Sequence, residues 1–369
     1  MSRTTADEDR YSDFEDAQEE LDAEALAVKL YRARRERDNA NRALKSAEAE
    51  LTRLKSVIDV VDTAVKQMPA PKWLKPPARP KRGVHRATVA TIASDWHFDE
   101  VVKIEEIDFM NKYDRDIAKM RLTRYFEKLV ELPRDHLAGL TYDGLVFMLG
   151  GDILSGQIHE ELTQTNADTV IGSSVYWTDE LAIGIRMLAD VYGKVHIPVV
   201  VGNHPRMTRK PRSKMRARDN FDWLIGQMLL RTFKNDPEIT FDISDSTDAH
   251  IPIYNTPHLL THGDQVKGGD GIGGIWPPIM RLHARKTVRQ SSTGKPYDVL
   301  VMGHWHQLIM APSSGLIVNG AGKGYDEYAY TNNFPPEVAQ QGLWVVTPEH
   351  GVTWSGPVLV ADPKAEGWG

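Results

Sequence analysis

Five short islands of Asp, Asn and His punctuate this chain, and each one follows a hydrophobic run of strand length. They read Ser94-Asp95-Trp96-His97, Gly151-Asp152, Gly202-Asn203-His204, His262-Gly263-Asp264 and Gly303-His304-Trp305-His306. Isolated, any one of these histidines is an ordinary surface or structural residue. Five islands in this order supply the oxygen and imidazole donors that two adjacent divalent cations take. The chain must therefore bring five strand ends to one place. An open α/β sheet does so, because its loops gather at the carboxyl ends of the strands.

The rest of the pattern from Ala87 onward agrees with an α/β class. Ala87–Ser94, Gly144–Leu149, Val195–Val201, His258–Thr261 and Val299–Met302 read as buried strands. Asp114–Leu132, Asp179–Tyr192, Asn220–Phe233 and Pro278–Arg289 carry helical apolar spacing. Leu308–Ala311, Leu316–Asn319, Leu343–Thr347 and Val352–Trp354 read as short antiparallel strands.

Ahead of this region the chain changes character twice. Residues 1–20 are acidic with few apolar side chains and are expected to be a disordered tail. Over 21–68 two apolar seams alternate at spacings of four and three. One is Leu26, Ala33, Ala40, Ala47, Leu54, Val61 and Met68; the other is Leu30, Arg37, Leu44, Leu51, Ile58 and Val65. Only Arg37 breaks the stripe, and no Pro or Gly interrupts it before Pro69. Such spacing predicts a coiled-coil helix of roughly 60–70 Å that self-associates, making the chain a homo-oligomer. Residues 69–86 hold five prolines and six Lys or Arg without an acid, which predicts a semi-rigid basic linker. The expected division is thus 1–20, 21–68, 69–86, a catalytic domain over 87–362 and a tail over 363–369.

Bulk composition narrows the setting. With no cysteine the chain has neither disulfides nor thiolate ligands. No apolar run approaches a bilayer span, so no membrane partner is expected. The first ten residues lack a secretory pattern, and a cytoplasmic location is expected, the host cytoplasm if the chain is phage-encoded.

Taken together, Asp95-x-His97, Gly151-Asp152, Gly202-Asn203-His204, His262 and Gly303-His304-x-His306 resemble the signature of the calcineurin-like metallophosphoesterase superfamily over roughly Thr88 to Val360. The resemblance implies a four-layer α/β/β/α sandwich of two mixed sheets flanked by helices. It implies a first metal held by Asp95, His97, Asp152 and His306, and a second held by Asp152, Asn203, His262 and His304. Asp152 bridges the two, and His204 serves the substrate phosphate and the leaving oxygen without binding metal. Two divalent ions are expected, Mn²⁺ first, with Fe²⁺, Zn²⁺ or Mg²⁺ as alternatives. The sequence departs from the family at Ser155 and Pro205, where acidic residues are usual. Those departures bear on the surroundings of the ligands and not on the ligands themselves.

The loop after His204 carries seven basic side chains and no acid from Pro205 to Arg218. Arg206, Arg209, Lys210 and Arg212 are expected to bind substrate, with His159 as a further pocket residue. Arg281, Arg285, Lys286 and Arg289 form a second basic run. A cationic loop beside the site points to a polyanion and to salt-dependent binding. Within the superfamily the pattern looks closest to phosphodiesterase and nuclease members, including phage-encoded phosphoesterases. The expectation is therefore cleavage of phosphodiesters in nucleic acid. Small nucleotides or phosphoprotein are the alternative substrates, and a coiled-coil adaptor without catalysis is the remaining reading. Gly268 to Gly274 has the wrong spacing for a dinucleotide fingerprint and is expected to be a loop over the site or a plain connector.

Overall fold

The computed structural model describes residues 34, 35, 37–42, 45, 70–75, 85–268 and 274–369. The chain divides into two compact units, Met1–Asp59 and Val60–Gly369. In the first, the described residues are helical and exposed. The expected acidic tail, the rest of the heptad segment and residues 76–84 of the linker lie outside the described residues, as do residues 269–273 of the glycine-rich stretch. Among the described residues no helix is long and apolar enough to cross a membrane.

The second unit is built on two sheets. β1 (His85–Ala93), β2 (Leu140–Leu149), β3 (Val195–Val199) and β4 (Ile239–Ile243) lie side by side in parallel. β10 (Gln340–Thr347) pairs antiparallel with β1, and β11 (Gly351–Leu359) pairs antiparallel with β10. The order is β11-β10-β1-β2-β3-β4. The second sheet runs β5-β6-β7-β9-β8, from β5 (Asp248–Ile253), β6 (Thr256–Thr261), β7 (Val299–Met302), β8 (Ile309–Ala311) and β9 (Leu316–Val318). β6, β7 and β9 are parallel.

Strand alternation sorts the core into three apolar layers, which is why four layers of structure stack. Val89 and Ala93 of β1, with Leu145, Phe147 and Leu149 of β2, face helices α1 (Arg115–Glu131), α3 (Val170–Tyr192) and α4 (Phe221–Thr232). Their neighbours Ala90, Ile92, Val146 and Met148 face the other sheet, meeting Leu260, Val299, Val301 and Ile317. Leu259, Leu300, Met302 and Val318 face outward again, against Ile279 and Leu282 of α5 (Trp276–Ser292). Strands covered on both faces must be apolar at nearly every position. That is the four-layer sandwich the resemblance implied. Two short helices, α2 (Glu160–Thr165) and α6 (Glu327–Thr331), lie in connections.

Three local outcomes differ from the sequence reading. The helix expected at Asp179 begins at Val170, where the Thr169 hydroxyl accepts from Gly172 N (3.2 Å) and opens the first turn. β4 and β5 were not expected; β5 carries His250 and Pro252 and lies at a sheet edge, the place that tolerates proline. The linker is also more than a spacer. Lys72–Leu74 forms a 3-10 turn whose Leu74 is fully buried in the core between the sheets. Leu74 O accepts from Tyr254 N (2.7 Å), and Gly144 makes room for the Trp73 ring, which a Cβ would overlap. This anchor sits by the β5–β6 turn, away from the five islands.

Candidate metal centre

Each island occupies the loop that follows a strand: β1, β2, β3, β6 and β7 deliver Asp95, Asp152, Asn203, His262 and His304 in turn. The backbone there is unusual. Asp95, His97, Asp152, His304 and His306 have φ of 56, 45, 51, 70 and 53°, a region that non-glycine residues avoid. Such strain persists where the surroundings over-determine it, and it clusters at functional sites. The loops brace one another. Asp95 N donates to Gly151 O (3.1 Å), His97 N to Asp152 O (3.1 Å) and Gly303 N to His262 O (2.9 Å). His304 N donates to Asp95 Oδ1 (2.9 Å), joining the two sheets. Two glycines are dictated by closeness: a Cβ at Gly202 would overlap the Asp152 carboxylate, and one at Gly303 the Asp95 carboxylate.

The ligand atoms form linked sets. Asp95, His97 and His306 make one set, and Asp152, His262 and His304 make another, with all donor atoms of a set within 4.8 Å of one another. Asp152 Oδ2 lies between them, 3.0 Å from His262 Nε2 and 4.0 Å from His97 Nε2. Asn203 Oδ1 is 3.2 Å from His262 Nε2, and His306 Nε2 is 3.5 Å from Asp95 Oδ1. A third set joins His97 and Asp152 to His204. His262 Nδ1 faces Gly150 O (2.9 Å), which turns Nε2 toward the centre. Asp152 Oδ2 and His97 Nε2 are buried without hydrogen-bond partners, while His97 Nδ1 faces Glu100 Oε2 at 3.3 Å. Orphaned buried lone pairs are costly, and a divalent cation is the partner this donor set fits.

Electrostatics support a cationic occupant. Burial pushes the Asp152 carboxyl up, yet His262, His204 and His97 together hold it well below the usual carboxylate range. Burial pushes His262 down, but the neighbouring Asp152 carboxylate outweighs it and raises it to about 10. Burial pushes His304 down to about 4, leaving it neutral.

His204 departs from expectation in one respect. Its N–H donates to Asp152 Oδ1 (2.7 Å), and its Nδ1 lies 3.1 Å from the carbonyl of Ser155. A backbone carbonyl thus orients the ring. Burial, reinforced by neighbouring His97, pushes His204 down to about 3, so the resting ring is neutral. His204 also falls within 4.8 Å of the His97 and Asp152 donor atoms, inside ligand reach. The exposed His159 ring is 5.8 Å from His204, at the mouth of the site.

The basic loop divides by what its side chains touch. Arg206 does not reach outward; it donates to the carbonyls of Asn203 (2.7 Å), Thr208 (2.9 Å) and Arg209 (3.1 Å), bracing the loop. Arg216 pairs with Asp264 (2.7 Å) and Arg218 with Asp245 (3.1 Å). Arg209, Lys210, Arg212 and Lys214 are exposed and make no side-chain hydrogen bond or ion pair among the described residues. In the second run, Lys286 and Arg289 are engaged by Asp248. His136, His196, His250, His258, His283 and His350 contribute to none of the ligand sets.

The sequence reading missed Asp222. Its Oδ2 accepts from Asp152 N (3.0 Å) and Gly202 N (2.9 Å), and its Oδ1 from Ile153 N (3.2 Å). This fully buried carboxylate pins the β2 loop to the β3 loop. Burial, reinforced by the Asp152 charge, pushes it up to about 7. The available signal was the helix start Asn220-Phe221-Asp222, where Asn220 caps α4 and also donates to Gly202 O (2.9 Å).

No family model matches the chain, and no curated protein matches it. Among solved structures, the chain is similar to an archaeal phosphodiesterase at 12% identity, covering 73% of this chain and 99% of that one with a TM-score of 0.32. It is similar to a D62A mutant of Vps29 from Entamoeba histolytica at 14%, covering 73% and 97% with a TM-score of 0.29. A putative 5'-nucleotidase from Staphylococcus aureus gives 11%, 75% and 55%, with a TM-score of 0.32. Superpositions this loose leave the chemistry to be argued from this chain's own residues. The described residues form a two-sheet α/β sandwich with the five motifs gathered at one end.

Proposed function

We propose that this chain is a two-metal phosphodiesterase that cleaves nucleic acid, of the DNA exo- or endonuclease type. The observation that carries the reading is a juxtaposition. Asp152 Oδ2 lies between two ligand sets, and a loop with four unpaired cations begins one residue after His204. Asp95, His97, His306 and Asp152 would hold one divalent ion, and Asp152, Asn203, His262 and His304 the other, with Mn²⁺ the first choice. Bound there, such ions supply a water of lowered pKa and neutralise phosphate charge. The protein's own part is orientation. Asn203 offers a neutral amide oxygen that adds no repulsion against an anionic substrate. His204, tethered at Nδ1, presents Nε2 to the centre, and an anionic phosphate alongside would raise its basicity enough to hold a proton.

Arg209, Lys210, Arg212 and Lys214 would follow a phosphate backbone leading to the centre. Arg206 holds that loop in shape. The heptad segment is read as the self-association element that makes the enzyme an oligomer.

The test is an assay with Mn²⁺ against a chromogenic phosphodiester, the matching monoester, and single- and double-stranded DNA. Cleavage of diester and DNA, abolished by chelator and by Asp152→Asn, is the expected result. Turnover of the small diester with DNA left intact would move the substrate to small nucleotides.

A further inference from the structure

Behind His97 lies a buried charge cluster that the chemistry above does not use. Lys323 is 3% exposed, and among the described residues its ammonium pairs with Glu100 Oε1 (2.7 Å) and Asp326 Oδ2 (2.5 Å). Glu100 Oε2 in turn lies 3.3 Å from His97 Nδ1. Lys323 is fixed from behind: its carbonyl accepts from Asn111 Nδ2 (2.9 Å) and Arg121 Nη1 (2.7 Å). Gly322 N donates to Asp95 O (3.0 Å), which ties this segment to the loop that carries His97. Burying an ammonium and two carboxylates strips each of hydration, so such a cluster adds little to fold stability. Its geometry is directed at a single imidazole.

We propose that Glu100, held by Lys323, is the positioning residue of His97. The carboxylate takes the Nδ1–H side of the ring, so Nε2, 4.0 Å from Asp152 Oδ2, keeps its lone pair toward the Asp95–His306 set. A carboxylate behind a ligating imidazole fixes its tautomer and strengthens it as a donor. The lysine holds that carboxylate in place through its other oxygen, Oε1 (2.7 Å). Asp326 is the second partner of the ammonium (2.5 Å). The effect is local: His262 is oriented by the Gly150 carbonyl and receives nothing from Glu100. The pair therefore sets the affinity of one metal position and not the other.

This inference rests on the two-metal reading of the centre, and its test separates the two. Full-length protein stripped with chelator would be titrated calorimetrically with Mn²⁺, wild type beside Glu100→Gln. Asp326 still partners Lys323 in the variant. Wild type should show two binding events. In the variant one event should weaken roughly 10- to 100-fold and the other stay unchanged, with the melting temperature of the stripped protein preserved. Nitrogen NMR of the imidazoles should show His97 losing its fixed Nδ1–H tautomer. Two unaltered events, or two that weaken together with a lowered melting temperature, would overturn the proposal while leaving the two-metal reading in place. A wild type that takes up no Mn²⁺ would overturn both. If Glu100→Gln fails to fold, the variant Glu100→Gln/Lys323→Met/Asp326→Asn removes the buried charges together and gives the same readout.

Discussion

The strand-end loops and the basic loop meet at His204 and obey opposite rules. In the former, polar side chains are buried, cross-braced and held in strained backbone; Asp95, His97, Asp152 and His262 are essentially inaccessible. Between Arg209 and Lys214 the cations are exposed and unpaired. The first region is specified by structure and fails when one atom is wrong. The second is specified by charge, and its side chains are interchangeable so long as the sign survives. In the proposed function, chemistry belongs to the first and attraction of a polyanion to the second.

Asp152→Asn should break the comparison most sharply. It removes charge from the oxygen that stands between both sets, and diester hydrolysis should fall by about 10³-fold or more in steady-state assays. A loss of under tenfold would mean that Asp152 is not central. Next in size is a pH effect on the buried region. His258, at the root of the strand that delivers His262, is pushed by burial down to about 4, with Trp344 Nε1 donating to its Nε2 (3.2 Å). The folded chain thus refuses a proton that the unfolded chain accepts at about 6.5. Its stabilising contribution is complete above that pH and is lost as pH falls from about 6.5 toward about 4, a change of about 3 kcal/mol. Denaturant melts across that window should show it, and His258→Gln should flatten the slope.

Asp222→Asn should come third, at about 1–3 kcal/mol of stability, because the amide turns a donor toward backbone N–H groups that lose their acceptor. It should also lower activity by loosening both loops at once. Unchanged melting and unchanged turnover would show that the pin is dispensable. Last, replacing Arg209, Lys210, Arg212 and Lys214 with Gln should leave melting and small-diester turnover intact. The salt dependence of DNA binding should flatten by up to about one unit of slope per lost phosphate contact. Salt dependence that survives the replacement would place the polyanion track elsewhere.

Legibility in the sequence followed the same division. The islands were readable because metal donors leave a residue-type signature at strand ends, and the strands were readable because sheets covered on both faces need unbroken apolar runs. Asp222 and the Lys323–Glu100 pair were not, since their partners are backbone N–H groups or residues more than 200 positions away in the chain. Arg206 looked like its basic neighbours, and only its hydrogen bonds to three carbonyls distinguish it. Leu74 carried no sign, inside a proline-rich stretch, that it would plug the core. β5 was hidden by His250 and Pro252, which suit an edge strand and disguise it as a loop.

The central claim is that five strand ends assemble one two-metal centre around Asp152. Anomalous diffraction from crystals grown with Mn²⁺ tests it most directly. Two peaks about 3.5–4 Å apart, both within coordination distance of the Asp152 carboxylate, are the result expected. A single peak, or peaks that leave Asp152 uncoordinated, would contradict it.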